Sequence, residues 1–188
     1  MKLLKHVPNI LTIVNLFMGI GVALILMQPN HPHKIIIASL LIFVGAMADF
    51  FDGILARKLN AVSDLGKQLD SFADIITFGI APVLVVNYVS TPATPFLLIL
   101  ASLIFVLAGA YRLARFNMAD FTNYFLGLPI PAAGLSLAVY CLLHPLWQVV
   151  LPMEIAQAIS AIFTPIFMLV LSAMMVSNKK IKRLGAEK

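Results

Sequence analysis

Apolar residues run along this chain in long, nearly unbroken stretches, without the one-sided patterning of a water-soluble domain. Six can be marked off, at 10–27, 34–59, 69–89, 95–116, 128–150 and 155–176. Each is long enough, or nearly so, to cross a hydrocarbon core of about 30 Å as a helix. Turn formers separate them: Gln28-Pro29-Asn30-His31-Pro32, Ser90-Thr91-Pro92, and Pro152 ahead of Glu154. The strict alternation of a membrane β-barrel strand is absent, and no internal repeat or low-complexity tract breaks the series. The pattern predicts an all-α integral membrane protein of six transmembrane helices, forming a single membrane-embedded domain over 1–188.

Composition sharpens that reading. The 188 residues are 61% hydrophobic and 11% charged, against about 25% charged in an ordinary soluble domain. So few polar residues exclude a water-facing surface, intrinsic disorder and a nucleic-acid-binding domain. Cys141 is the one cysteine, which excludes an intrachain disulfide.

The 13 basic residues set the sidedness. Lys2 and Lys5 precede the first stretch, and Arg57, Lys58 and Lys67 lie between the second and third. Arg112 and Arg115 close the fourth; Lys179, Lys180, Lys182, Arg183 and Lys188 form the tail. All of these fall on one side of a six-span arrangement and Lys34 alone on the other. Short-loop Lys and Arg mark the cytoplasmic face, so both termini are expected there. The net charge of +5 is then a topology signal and an attraction to anionic lipid heads. The basic start and first apolar run lack a small-residue cleavage site, so a retained helix is expected in place of a secretory signal.

Charge placed inside the apolar stretches is the chemical signal. Asp64, Asp120, Glu154 and Glu187 fall in expected loops or the tail, but Asp49, Asp52, Asp70 and Asp74 lie within spans two and three. A carboxylate at membrane depth is costly and usually faces the bundle interior, paired or functional. Asp49 and Asp52 are spaced i,i+3, and Asp70 and Asp74 i,i+4, so each pair shares a helix face. The turn over 58–65 makes the two helices antiparallel and brings the pairs to one depth. Four ionised carboxylates there would repel one another. Hard divalent cations, Mg²⁺ or Mn²⁺, relieve this while leaving positions for phosphate oxygens. Two such ions between two helices are suited to clamping a pyrophosphate. Pairing of the acids with Arg57 and Lys67 would account for one or two of the four. Gly53, Ala56 and Gly66 are small enough to admit a phosphate or a neighbouring helix, and Arg57 is a bidentate phosphate donor at the boundary.

Written out, the segment is Asp49-x-x-Asp52-Gly53-x-x-Ala56-Arg57, then eight residues, then Gly66-x-x-x-Asp70-x-x-x-Asp74. Over these positions, 49–74, it resembles the core signature of the CDP-alcohol phosphatidyltransferase family without departure. The likeness extends over about 7–135, including Pro8-Asn9-Ile10-Leu11-Thr12-Ile13-Val14-Asn15, Thr77-Phe78-Gly79-Ile80-Ala81-Pro82, Tyr111-Arg112-Leu113-Ala114-Arg115-Phe116-Asn117 and Gly127-Leu128-Pro129-Ile130-Pro131. The last two helices match in hydropathy alone. The resemblance implies a six-helix fold and a homodimer, in the cell membrane with the active site facing the cytoplasm. It implies transfer of a phosphatidyl group from CDP-diacylglycerol to an alcohol, with release of CMP. By the same likeness all four Asp bind divalent ions, Asp74 also takes the proton of the attacking hydroxyl, and Gly53, Ala56, Arg57 and Gly66 border the nucleotide.

The first helix and the Tyr111–Asn117 stretch are most similar to members of the family that use L-serine. Relatives that transfer to glycerol phosphate tend to have Arg where Asn15 stands. Other acceptors (inositol phosphate, glycerol phosphate, choline) and an ether-linked CDP-lipid donor are the rivals within the family. Thr12 and Asn15, spaced i,i+3, either glue helices together or meet the nucleotide, and the resemblance favours the second. Lys67 suits a phosphate or a lipid head. Arg112 and Arg115 read as positive-inside anchors or, with Asn117, as the pocket for the acceptor's carboxylate. His6, His31, His33 and His144 lie at span ends and are expected to be solvated, and Trp147 is expected to be an interfacial anchor. A divalent-cation transporter would need polar residues continuing through the outer halves of the spans, where the sequence is expected to supply none.

Overall fold

A computed structural model of the chain describes residues 7–29, 33–59, 61–90, 95–118 and 124–182. The expectations for Lys2, Lys5, His6, His31, Asp120, Arg183, Glu187 and Lys188 lie outside the described residues, as does that for the side chain of Trp147. Helices α1 (Val7–Met27) and α2 (Lys34–Lys58) come first. The third rod is continuous: α3 (Asp64–Asp74), a π-helical segment (Ile75–Ile80) and α4 (Ala81–Val89). Then follow α5 (Pro95–Met118), α6 (Ile130–Val150) and α7 (Met153–Val176).

Five of these rods are long and apolar enough to cross a membrane, while α6 has a shorter apolar stretch, Ile130–Leu146, with Pro145 inside it. The outside of the bundle is hydrocarbon-like: Phe17 is 65% and Leu107 66% exposed, as a multi-pass membrane protein requires. The helical class expected from the sequence has one addition. Short strands β1 (Tyr124–Leu126) and β2 (Lys180–Lys182) pair antiparallel.

The third rod is the centre of the molecule. It touches α1, α2, α5 and α6, while α7 lies on α5 and α6. Half of its most apolar window is buried, against 22% for α1. Phe78, Phe105, Ile130 and Leu137 fill the interior. Because lipid is as apolar as these side chains, close backbone approach and interhelical hydrogen bonds must do much of the holding. A Cβ on Gly134 would lie 2.5 Å from the Phe78 carbonyl oxygen and 2.8 Å from its Cα, so α6 crosses the third rod backbone to backbone. Gly19 plays the same part on α1, where a Cβ would lie 2.9 Å from the Thr77 Cα.

Pro82 explains the π-helical segment. It has no N–H to give the Phe78 carbonyl, and its ring crowds that group. The ladder widens instead, with the Ala81 N–H donating to the Ile76 carbonyl, five residues back.

Three expectations need correcting. The third rod starts at Asp64, not Leu69, because Ser63 caps it, its Oγ accepting from the Gly66 N–H at 3.1 Å. Asp64 therefore sits in a helical first turn instead of a loop. His144 is not a solvated span-end residue: α6 continues past it to Val150, and its buried Nε2 lies 3.2 Å from Ser160 Oγ. Nor are the outer halves of the spans free of polar groups. Asn87 donates to Ser102 at 3.0 Å, and Tyr140 shares a hydrogen with Thr164 at 2.5 Å. These groups are neutral and satisfied by one another, which makes them helix–helix connections.

Candidate metal centre and nucleotide cleft

The cytoplasm-proximal turns expected from the sequence converge as a helical hairpin. The last third of α2 carries Asp49 and Asp52, and α3 carries Asp70 and Asp74. Carboxylate oxygens of Asp49, Asp70 and Asp74 all lie within 4.8 Å of one another. Oδ1 of Asp70 and Oδ1 of Asp74 are buried and meet no hydrogen-bond partner. Three carboxylates so close, in an apolar bundle and with oxygens unsatisfied, make a donor set that suits a hard divalent cation. Lys67 does not neutralise them: it pairs with exposed Asp64 at 3.8 Å.

Asp52 stands apart from this trio. It is buried, and its Oδ2 accepts a 2.8 Å hydrogen bond from Thr12 Oγ1. That bond ties α1 to α2 and turns Asp52 toward a neighbouring cleft of about 300 Å³. One wall is Pro8, Asn9 and Thr12 of α1; another is Asp52, Gly53, Ala56 and Arg57 of α2. Ala61, Val62 and Ser63 of the turn, Gly66, Lys67 and Asp70 of α3, and Phe116 of α5 complete it. Asp70 thus belongs to both the trio and the cleft, which makes the two sites contiguous. A Cβ on Gly53 would meet nothing within 4 Å, so Gly53 opens onto free space. Gly66 has another use. A side chain there would press on Ser63 Oγ at 3.1 Å and Asn9 Oδ1 at 3.2 Å, the groups that shape the hairpin turn.

Of the residues singled out for a nucleotide, Asn15 alone is not brought to the cleft or the trio. It is fully buried one turn deeper than Thr12, and its backbone carbonyl accepts from Thr77 Oγ1 at 2.8 Å. Its side chain faces α2 as that of Thr12 does, since a Cβ on Gly45 would lie 2.9 Å from Asn15 Oδ1, so depth and not direction keeps it from the cleft. Asn9, Ser63 and Phe116 line the cleft without having been singled out. Ser63 was findable as a capping residue three positions before Gly66. Phe116 was not, since it arrives from a helix distant in sequence.

The acceptor trio also divides. Arg112 is buried, lies over the Phe116 ring at 5.8 Å and acts electrostatically on Asp74. Arg115 is used elsewhere: its guanidinium donates to the Val176 carbonyl at 3.1 Å, the Ser177 carbonyl at 3.3 Å and Asn178 Oδ1 at 2.9 Å. It fastens the carbonyl end of α7 to α5, where a cation also complements the helix dipole. Asn117 Nδ2 donates to Ser71 Oγ at 2.8 Å, linking α5 to α3 beside Asp70.

Fold and site together define a multi-pass helical membrane protein with an acidic cluster adjoining a polar cleft. The family model for CDP-alcohol phosphatidyltransferases matches residues 5–177, and the chain belongs to that family. A CDP-diacylglycerol–serine O-phosphatidyltransferase of Bacillus subtilis (strain 168) is 42% identical over 137 residues, covering 72% of this chain and 75% of that protein. One from Methanocaldococcus jannaschii is 42% identical over 103 residues, 54% of this chain and 48% of its own length. A third, from Helicobacter pylori (strain 26695), is 34% identical over 139 residues, 72% of this chain and 56% of its own. The match thus spans about half the length of the latter two.

Proposed function

We propose that this chain transfers the phosphatidyl group of CDP-diacylglycerol to the hydroxyl of L-serine, giving phosphatidylserine and CMP. The observation that carries the reading is the contiguity of the Asp49–Asp70–Asp74 cluster with the cleft through Asp70; the printed names of the relatives support serine as the acceptor. Asp49, Asp70 and Asp74, together with Asp52, would hold two divalent ions, Mg²⁺ or Mn²⁺. Bound there, such ions would supply charge neutralisation for the pyrophosphate and the departing CMP.

The residues do the rest. Thr12 fixes the Asp52 carboxylate. Gly53, Ala56 and Gly66 leave room for the nucleotide, and Arg57 and Lys67 attract its phosphates from the rim. Asp74 accepts the serine hydroxyl proton as that oxygen bonds to the lipid-side phosphorus, and the bond from this phosphorus to the oxygen bridging to CMP breaks. Arg112, near Asp74, attracts the serine carboxylate. The chain is one catalytic domain that crosses the cell membrane six times, both termini and the cleft facing the cytoplasm, and works as a homodimer.

The test is direct. Purified protein with CDP-diacylglycerol and Mg²⁺ or Mn²⁺ should release CMP when serine is added, and chelation by EDTA should abolish the release. CMP release with glycerol phosphate, inositol phosphate or choline in place of serine would move the chain to another branch of the family. Uptake of divalent ions into vesicles without CMP release would favour a transporter.

Arg115 gives a second expected result. Arg115→Lys keeps the charge but loses the planar fork. It should lower Tm by about 2–4 °C, the equivalent of about 1 kcal/mol of hydrogen bonding. KM for serine should stay unchanged, because the guanidinium is engaged with the end of α7. A raised serine KM at unchanged Tm would return Arg115 to the acceptor pocket.

A further inference from the structure

At the opposite end of the bundle from the carboxylates, α2 begins with a buried cation. Lys34 is 8% exposed. Its Nζ donates to the Leu26 carbonyl at 3.2 Å and stands 5.2 Å from the Tyr88 ring centroid. An ammonium has three N–H donors, and among the described residues the Leu26 carbonyl, at the unsatisfied carbonyl end of α1, accepts from it. Beside it opens a second cavity, of about 340 Å³, lined by His33, Lys34, Ile35, Ile36, Tyr88, Leu142, Pro145 and Leu146. Among the described residues, no carboxylate lines that cavity. Its polar end holds the Lys34 ammonium and the start of α2, whose cap residue His33 makes no side-chain capping bond. Both the cation and the helix start favour an anion.

The other end of the cavity is apolar. Ile36, Tyr88 and Leu146 are 50%, 50% and 58% exposed, so the wall continues onto the lipid-facing surface. A free phosphate would use the polar end and leave the apolar one empty. A phospholipid would use both. Asp49 lies 15 residues further along α2, about 22 Å away at 1.5 Å per residue, so this cavity is separate from the cleft.

We propose that this cavity is a phospholipid site in the leaflet opposite the carboxylates. The lipid phosphate sits against Lys34 and the first turn of α2, and an acyl chain lies along Leu142 and Leu146. No covalent step is involved, and the site does not depend on which acceptor the enzyme uses.

Thermal unfolding of the purified full chain in detergent tests this. Added short-chain phosphatidylglycerol should raise Tm by about 5 °C at saturating concentration, and inorganic phosphate should not. Lys34→Met should lose the rise while keeping metal-dependent CMP release. Leu142→Trp, which fills the apolar end and leaves Lys34 in place, should lose it too and guards against a folding defect in the first variant. An equal rise with inorganic phosphate would show an anion site with no lipid component. A rise retained in both variants would place lipid binding elsewhere and overturn the proposal.

Discussion

Asp74→Asn is expected to cut CMP release by at least about 100-fold, the usual worth of a positioned general base. Asn keeps the size and the buried position but removes both the negative charge and the basicity. The Asp74 side chain is held in one place by the third rod, near Asp49, Asp70 and the Arg112 charge. Asn should also remove a repulsion among carboxylates, so Tm measured without metal should stay level or rise. Activity and stability then move in opposite or independent directions. Unchanged CMP release in this variant would sink the proton-acceptor role. A fall in Tm parallel to activity would mean that Asp74 is structural.

Gly134→Val should destabilise more than any other single change considered for this chain. Its Cβ would stand 2.5 Å from the Phe78 carbonyl oxygen and 2.8 Å from the Phe78 Cα, and both are backbone atoms that cannot rotate away. Overpacking a tight contact costs about 1–3 kcal/mol; with branching added and backbone on the far side, the upper end or beyond is expected. For a chain of this size, 3 kcal/mol is roughly 6–12 °C of Tm. Phe78 lies four residues past Asp74 on the same rod, so activity should fall with stability. Differential scanning fluorimetry of Gly134→Ala and Gly134→Val in detergent would check the order wild type, Ala, Val. A wild-type Tm for Val would show that α6 does not cross the third rod so closely.

The membrane class and the helix positions were legible in the sequence because hydropathy over spans of this length is a strong signal and few charges dilute it. The Asp49-to-Asp74 motif was legible because its spacing maps each residue onto a helix face. What escaped was set by contacts between distant segments. The spacing of Thr12 and Asn15 puts both on the α2-facing side of α1, but Asn15 lies a turn deeper, against Gly45 and Thr77 and below the cleft. Arg115 looked like half of a pair with Arg112, and its partners, Val176 to Asn178, come from the other end of the chain. His144 was expected to be solvated near a span end, yet it is buried against Ser160 of α7, 16 residues on in the chain. The start of the third rod was missed because polar residues 64–68 hid a helix whose cap, Ser63, was in plain view.

The π-helical segment over Ile75–Ile80 has a bearing on how this chain can change over generations. A helix turns by about 100° per residue, so gaining or losing one residue in the third rod would swing Asp70 and Asp74 out of line with Asp49. A wide turn holds one residue more than the ordinary helical turn, and here Pro82 bars the narrower ladder. Length changes in related chains should therefore cluster in the connections 28–33 and 90–94 and in the tail, and should spare the stretch from Asp64 to Val89.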